Sequence, residues 1–278
     1  MLPVSFLSDF GYQDEFVGVV HGVIARIAPE VRVIDIGHGF PAGDIRAGAL
    51  GLLRAVQYMP QGVALAVVDP GVGTSRRAIA ARTSWGFFVG PDNGLLGPAV
   101  AMVGGADAIV AIENPELRLP VEGATFDGRD VFGPAAAVLA AGEAEFEELG
   151  PLVDSGSVTP LMIPLVEPDG SGRLLGEVLW VDTFGNCQTN IAPADLEGIG
   201  LGRGDDVMIE IGGAEFRLQW AGAYGDVEPG EGMVHVDSYG QMAVAVRGGR
   251  ADDSFPLTTR MAITMRRPDG GTRLEITG

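Results

Sequence analysis

Between Val4 and Ala141 the chain alternates short apolar runs with longer segments of helical periodicity, and this alternation restricts its fold more than any other feature. Strand-like runs occupy 4–7, 31–36, 63–68 and 108–112, with further strand expected within 78–89. Helical periodicity covers 15–27, 44–58, 95–103 and 130–141. Asp14 is placed to cap the first of these helices and Asp44 lies at the start of the second. Repeated strand–helix units imply a mainly parallel sheet with helices on both faces. Open sheets of that kind take their ligands beyond the carboxyl ends of the strands.

The texture changes after about residue 150. Pro151, Pro160, Pro164 and Pro168 punctuate a stretch without helical periodicity that ends in Asp169-Gly170-Ser171-Gly172. Short alternating runs follow at 176–181, 207–211, 215–220, 233–236, 242–246, 262–265 and 273–276, separated by Gly and Asp turns. They suit a compact antiparallel sheet or small barrel. The expected organisation is an α/β domain over 1–157, a connecting segment over 158–172 and a smaller all-β domain over 173–278.

Hydrophobic residues form 46% of the 278, enough for a full core. The formal charge is −19 and all 18 basic residues are arginine, which excludes a Walker lysine, a Schiff-base lysine and a lysine general base. So acidic a chain is a poor match for nucleic acid or anionic lipid. The lone Cys187 excludes an internal disulfide and a thiolate cluster, and reads as a buried, inert thiol. His21, His38 and His235 lack metal-ligand spacing, so no metal is expected. Met1-Leu2-Pro3-Val4-Ser5 has no basic leader, and no apolar run approaches the ~20 residues that span a bilayer, so a soluble cytoplasmic protein is expected.

The candidate chemistry gathers where strands end. Val68-Asp69-Pro70-Gly71-Val72-Gly73-Thr74 delivers a carboxylate into a glycine-rich turn, and Arg76 and Arg77 follow. Asp9, closing Phe6-Leu7-Ser8-Asp9, can accept two hydrogen bonds from vicinal hydroxyls. Pro91-Asp92-Asn93-Gly94 reads best as a structural turn. In Thr125-Phe126-Asp127-Gly128-Arg129-Asp130, Asp127 either faces one site together with Asp69, raising one pKa, or forms a structural ion pair with Arg76 or Arg129. Asp182-Thr183-Phe184-Gly185-Asn186 offers an amide suited to a purine edge beside a stacking ring, yet it is also a plausible hairpin turn. Tyr224 and Ser238-Tyr239-Gly240 are equally two-sided.

Taken in order, these strings resemble the S-adenosyl-L-methionine hydroxide adenosyltransferases (S-adenosylmethionine hydrolases), a family related to the fluorinases and chlorinases. The matching residues are Phe6-Leu7-Ser8-Asp9-Phe10-Gly11, Asp35-Ile36-Gly37-His38, the Asp69 loop with Arg76-Arg77, Pro91-Asp92-Asn93-Gly94-Leu95-Leu96, Gly128-Arg129-Asp130, Asp182 with Phe184-Gly185-Asn186, and Ser238. The resemblance implies S-adenosyl-L-methionine as substrate, no cofactor, and a homotrimer with each site at a subunit interface. It implies ribose binding by Asp9, a methionine end near Asp14, Asp182 and Ser238, and an adenine pocket formed by Phe184, Asn186, Tyr224 and the backbone near Gly248. Arg247 stands where that family's pattern has asparagine.

In the hydrolase branch an Asp-Arg-His set holds the attacking water. Asp69 and Arg76 match the first two, whereas Asp127 occupies the histidine position. The resemblance therefore implies a water-using enzyme in which Asp127 does the orienting. Two alternatives remain beside it. One is a binding protein that has lost turnover with the histidine. The other is a halogenase, which a carboxylate at Asp69 disfavours by repelling halide.

Overall fold

The central strands of the first half are buried residue after residue, as a sheet covered on both faces requires. In the computed structural model, which describes residues 1–120, 123 and 125–268, β1 (Val4–Ser8), β2 (Val33–Gly37), β3 (Val63–Val67), β4 (Ala78–Arg82), β5 (Phe87–Pro91) and β6 (Ala108–Ala111) form one sheet in the order β2-β1-β3-β5-β4-β6. Val63, Leu65 and Val67 enter one apolar cluster, and Ala64 and Ala66 another. Helices α1 (Phe16–Ile27) and α4 (Gly133–Ala141) complete the first cluster, while α2 (Ile45–Val56) and α3 (Gly97–Met102) complete the second. Both faces are thus buried, the usual condition of a parallel sheet. Strands β2, β1, β3 and β5 run parallel, and β4 runs antiparallel to both its neighbours.

Several local expectations change. The stretch 78–89 is a hairpin of two strands, because Thr83 and Gly86 exchange backbone hydrogen bonds of 2.8 and 3.2 Å and turn the chain back. Asp14 does not cap α1: Glu15 holds the N-cap position, and no side-chain capping bond is made. Asp44 does cap α2, accepting from the Ala47 N–H at 3.1 Å. The helix expected at 130–141 opens as a π turn over Gly128–Phe132 before α4 begins. Pro134 has no N–H to offer the Asp130 carbonyl, which accepts from the Leu119 N–H at 2.9 Å instead.

The chain divides into two compact units, Met1–Met162 and Ile163–Gly278. Of the expected connecting segment, Val158 and Leu161 pack on the first unit, whereas β7 (Glu167–Pro168) belongs to the second. The second unit continues with β8 (Arg173–Val181), β9 (Cys187–Thr189), β10 (Asp206–Ile211), β11 (Ala214–Trp220), β12 (Gly232–Val236), β13 (Met242–Val246) and β14 (Ala262–Arg266). The order β14-β10-β11-β12-β13-β9-β8 closes where β8 pairs with β14, giving a seven-stranded barrel to which β7 is added. Among the described strands of this unit only the β11–β12 pair is parallel. Closure removes the open sheet edges that would otherwise recruit other chains. Val178, Cys187, Ile209, Val234, Val244 and Met265 are fully buried in its core. The run 273–276 lies outside the described residues. No helix among those described is long and apolar enough to cross a membrane.

Candidate active site

The connections around β1 create a crevice. From β1 the chain passes through α1 to β2 on one side, then through α2 to β3 on the other. The carboxyl ends of β1 and β3 therefore flank a topological switch point, where open α/β sheets bind ligands. Asp9 follows β1, and Asp69 follows β3 after Val68. A cavity of about 250 Å³ opens there, lined by Asp9, Phe10, Asp69, Val72, Phe126 and Asp127 among others. One Asp9 oxygen accepts from the Gly43 N–H at 2.7 Å. Gly43 lies at φ +72, a conformation that only glycine adopts at low cost.

Tight turns fold the Asp69 loop back on itself. The Val72 N–H donates to the Asp69 carbonyl, and the Thr74 hydroxyl donates to the Gly71 carbonyl at 2.6 Å while accepting from the Arg76 N–H at 3.3 Å. Arg76 thereby returns to Asp69. Its Nε donates to Asp69 Oδ1 at 3.1 Å, and its Nη2 donates both to Asp69 Oδ2 and, at 2.7 Å, to Asp127 Oδ2. The guanidinium also stands over the Phe132 ring, 5.3 Å from its centroid. Side-chain exposure is 5% for Asp69, 8% for Arg76 and 18% for Asp127. Two nearly buried carboxylates thus share one cation. Burial pushes the Asp69 carboxyl above the usual carboxylate range; Arg76 opposes that shift and Asp127 adds to it.

Both alternatives for Asp127 hold at once: it lines the same cavity as Asp69 and pairs with Arg76. Arg129 is engaged elsewhere, donating to both oxygens of Asp130 at 2.5 and 2.8 Å. The Asp92-Asn93 turn is structural, as its residues suggested. Asn93 donates to the Val68 carbonyl at 2.9 Å, bracing the residue before Asp69. Asp92 accepts from Arg77 Nε and from the Thr159 N–H, both at 2.8 Å. Asp14 is exposed on the turn before α1 and is not among the cavity-lining residues.

In the second unit the hairpin reading of 182–186 is fulfilled, and Asp182, Phe184 and Asn186 are built into it. Asp182 Oδ1 accepts from the Phe184 and Asn186 N–H groups, each at 2.8 Å, and Oδ2 accepts from Asn186 Nδ2 at 2.8 Å. Gly185 lies at φ +83, and a Cβ there would lie 2.6 Å from Arg250 Cβ, so the turn selects glycine. Phe184 projects with 75% of its surface exposed. Tyr224 hydrogen-bonds Asn186 and stands 5.4 Å from the His235 ring; burial pushes its hydroxyl above the usual tyrosine range. Ser238 is exposed on the β12–β13 turn, and Gly248 is exposed at φ +73 after Arg247, whose Nη1 donates to the Val227 carbonyl at 2.6 Å.

A second turn of the same build follows at 237–241, the turn alternative left open for Ser238-Tyr239-Gly240, with Asp237 as the residue that sequence reasoning missed. Asp237 Oδ1 accepts from the Tyr239 and Gln241 N–H groups at 2.8 and 3.0 Å, and Gly240 takes φ +82. Asp182-Thr183-Phe184-Gly185-Asn186 and Asp237-Ser238-Tyr239-Gly240-Gln241 share one pattern: aspartate, a hydroxyl residue, an aromatic, glycine and a side-chain amide. That pattern was the available signal. Asp237 also accepts from Gln188 Nε2. Among the described residues no group of three or more His, Cys, Asp or Glu is placed to hold a metal ion.

Residues 4–150 match the family described as SAM hydroxide adenosyltransferase N-terminal domain, and residues 176–264 match its C-terminal domain. The chain belongs to the SAM hydroxide adenosyltransferase family. A Salinispora tropica protein named (R)-S-adenosyl-L-methionine hydrolase is 46% identical over 92% of this chain and 94% of its own length. A Nocardia brasiliensis fluorinase is 27% identical, with 95% of each chain covered. A crystal structure of an uncharacterized conserved protein from Thermotoga maritima superposes with a TM-score of 0.89 at 37% identity, covering 95% of this chain and all of that one. The family match contains the Asp69 cavity in its first segment and the Asp182 and Asp237 turns in its second.

Proposed function

We propose that this enzyme hydrolyses S-adenosyl-L-methionine to adenosine and L-methionine by in-line attack of water on the ribose C5′. The observation that carries this reading is the Asp69–Arg76–Asp127 group at the switch-point cavity. The sulfonium makes C5′ electrophilic, and methionine leaves as a neutral thioether that takes the C5′–S electron pair. No acid is needed for departure. The site has to hold one water about 3 Å from C5′ on the face opposite sulfur. Water with a pKa of about 15.7 benefits from an acceptor as the new C5′–O bond forms. Asp69 takes one water proton, Asp127 accepts a hydrogen bond from the other hydrogen, which stays on the 5′ hydroxyl of adenosine, and Arg76 fixes both carboxylates. The proton released ends on this carboxylate pair.

Charge supports water over halide. Three carboxylates, Asp9, Asp69 and Asp127, line the cavity with Arg76 behind two of them. That field favours a sulfonium cation and repels an anion. Nor is there room for a hydroxyl donor at Gly128, where a Cβ would approach Phe10 Cζ to 2.9 Å.

The first unit, on this reading, holds the ribose through Asp9 and positions the nucleophile. The second supplies the adenine and methionine contacts through Phe184, Asn186, Tyr224, Ser238 and the Gly248 backbone, with Asp182 shaping the turn that presents them. Asp14 lies toward the methionine end. The working form is a cytoplasmic homotrimer in which a neighbouring copy completes each site, and the mass in solution tests it. Incubation with S-adenosyl-L-methionine, with and without chloride or fluoride, tests the activity by chromatography. Equal amounts of adenosine and methionine, unchanged by halide, are expected. Tight binding without adenosine would instead establish a binding protein that lost turnover with the histidine, and a 5′-halo-adenosine would establish a halogenase.

A further inference from the structure

The sequence Asp35-Ile36-Gly37-His38 has no part in the chemistry above, yet its histidine is wholly buried against Ser8, the residue before the cavity-lining Asp9. His38 Nδ1 lies 2.6 Å from Ser8 Oγ, and its Nε2 lies 3.2 Å from Asp35 Oδ1. Ser8 is also fully buried, and its Oγ accepts from the Phe10 N–H at 3.3 Å. The same histidine's backbone carbonyl accepts from the Gly11 N–H at 2.7 Å. His21 Nε2 reaches the Asp35 oxygen from α1 at 2.8 Å, and the Tyr12 ring covers the imidazole edge-on at 5.2 Å.

His38 Nε2 faces Asp35 Oδ1 without the alignment of a hydrogen bond, so the short contact of the buried ring is the one between Nδ1 and the Ser8 hydroxyl. The Ser8 oxygen keeps a lone pair for the Phe10 N–H. Burial pushes His38 below the usual histidine range, which suits a neutral ring sharing one hydrogen with Ser8. A buried serine hydroxyl without such a partner would be costly, which holds the Ser8–His38 pair together.

We infer that His38 is a positioning residue for ribose recognition, gripping the Ser8–Gly11 turn at both ends so that Asp9, between them, is aimed at the vicinal hydroxyls. The side chain holds Ser8 and the main chain holds Gly11. The Asp9 carboxylate is tethered further by the Gly43 N–H, and its own N–H donates to the Val67 carbonyl at 3.4 Å. The inference rests on Asp9 being the ribose contact. His38 itself does not touch the ligand, and Ser8, being fully buried, is not a nucleophile.

The test is calorimetric binding of adenosine and of 2′-deoxyadenosine to the full-length protein and its variants Asp9→Asn, Ser8→Ala and His38→Phe, with circular dichroism to check folding. Wild type is expected to prefer adenosine by about 10- to 100-fold, the range for a hydrogen bond to a charged group. Asp9→Asn should abolish most of that preference. Ser8→Ala and His38→Phe should reduce it by about 3- to 10-fold while leaving 2′-deoxyadenosine affinity within about twofold, since loosened aim costs only the hydroxyl contact. A merely structural role would weaken both ligands alike. If Asp9→Asn removes the preference but folded Ser8→Ala retains it in full, the positioning role is overturned and the Asp9 assignment stands. If wild type shows no preference, or Asp9→Asn keeps it, the ribose assignment fails and the inference falls with it. Should His38→Phe not fold, Ser8→Ala alone decides, because it deletes a single oxygen.

Discussion

Replacing Arg76 with methionine removes the one cation shared by Asp69 and Asp127 while keeping most of the buried side-chain bulk. Both carboxylates are then left in place, with side-chain exposures of only 5% and 18%. Breaking a buried pair in this way costs about 3–5 kcal/mol when both charges persist. Loss of packing adds little, because methionine fills the path of the arginine stem over Phe132. The variant can escape part of the cost by taking up a proton. Burial already holds the Asp69 carboxyl above its ordinary value, and Arg76 is the group that opposes this shift. Without Arg76 the folded-state pKa rises further above the unfolded value of about 3.9. A group raised in this sense stabilises the fold below the unfolded pKa and loses that contribution as pH rises through the folded pKa. The deficit relative to wild type should therefore be smaller at pH 5 than at pH 8, growing by at most about 1.4 kcal/mol per pH unit per proton. Hydrogen exchange of β1 and β3 peptides, followed in increasing urea at both pH values, reads the first unit separately from the barrel. A deficit below about 1 kcal/mol at pH 8, or one that grows toward acid, would refute the shared-cation account.

The same physics reaches activity. Asp69 must be ionised to accept the water proton, so initial rates should fall as pH drops through its raised pKa, with a midpoint above the ordinary aspartate value of about 3.9; a midpoint at or below it contradicts the burial argument. Asp127→Asn keeps the shape but removes the second anionic acceptor, and kcat should fall about 10²- to 10⁴-fold, whereas Asp127→His should retain activity within about tenfold. Single-turnover kinetics would expose the error if the amide variant proves as active as wild type. Burial pushes the Cys187 thiol up to about 12, so native protein at pH 8 should resist iodoacetamide until denatured. Alkylation of folded protein, seen by mass spectrometry, would contradict its place in the barrel core.

Much of this was legible in the sequence because it follows from backbone periodicity. Apolar runs bounded by polar residues fixed β1 and β3, and the residues directly beyond them, Asp9 and Asp69, had to emerge at strand ends. Spacing on one short loop likewise made an Asp69–Arg76 contact foreseeable. What escaped depends on long-range bonds. Asp127 approaches Arg76 across 51 residues, and sequence left its two roles open because both come true together. The π turn at Gly128–Phe132 reflects a proline's missing donor and the carbonyl's rescue by Leu119. Asp14 suits a cap by residue type, but the helix begins at Phe16 with Glu15 at the N-cap position, one residue later than the periodicity implies. By sequence Asp182 suits either a ligand contact or a turn former, and both its oxygens accept hydrogen bonds from within the turn. Short β9 carries only Cys187–Thr189, too few residues to show a period, and is held by its neighbours β8 and β13.

Isotope labelling tests the central claim most directly. The protein is incubated with S-adenosyl-L-methionine in ¹⁸O-enriched water, and the products are examined by mass spectrometry. Attack of water held by Asp69, Arg76 and Asp127 on C5′ predicts one ¹⁸O in each adenosine, located on the 5′ oxygen, and none in methionine. Unlabelled adenosine, label in the amino-acid product, or no adenosine above the protein-free control would contradict it.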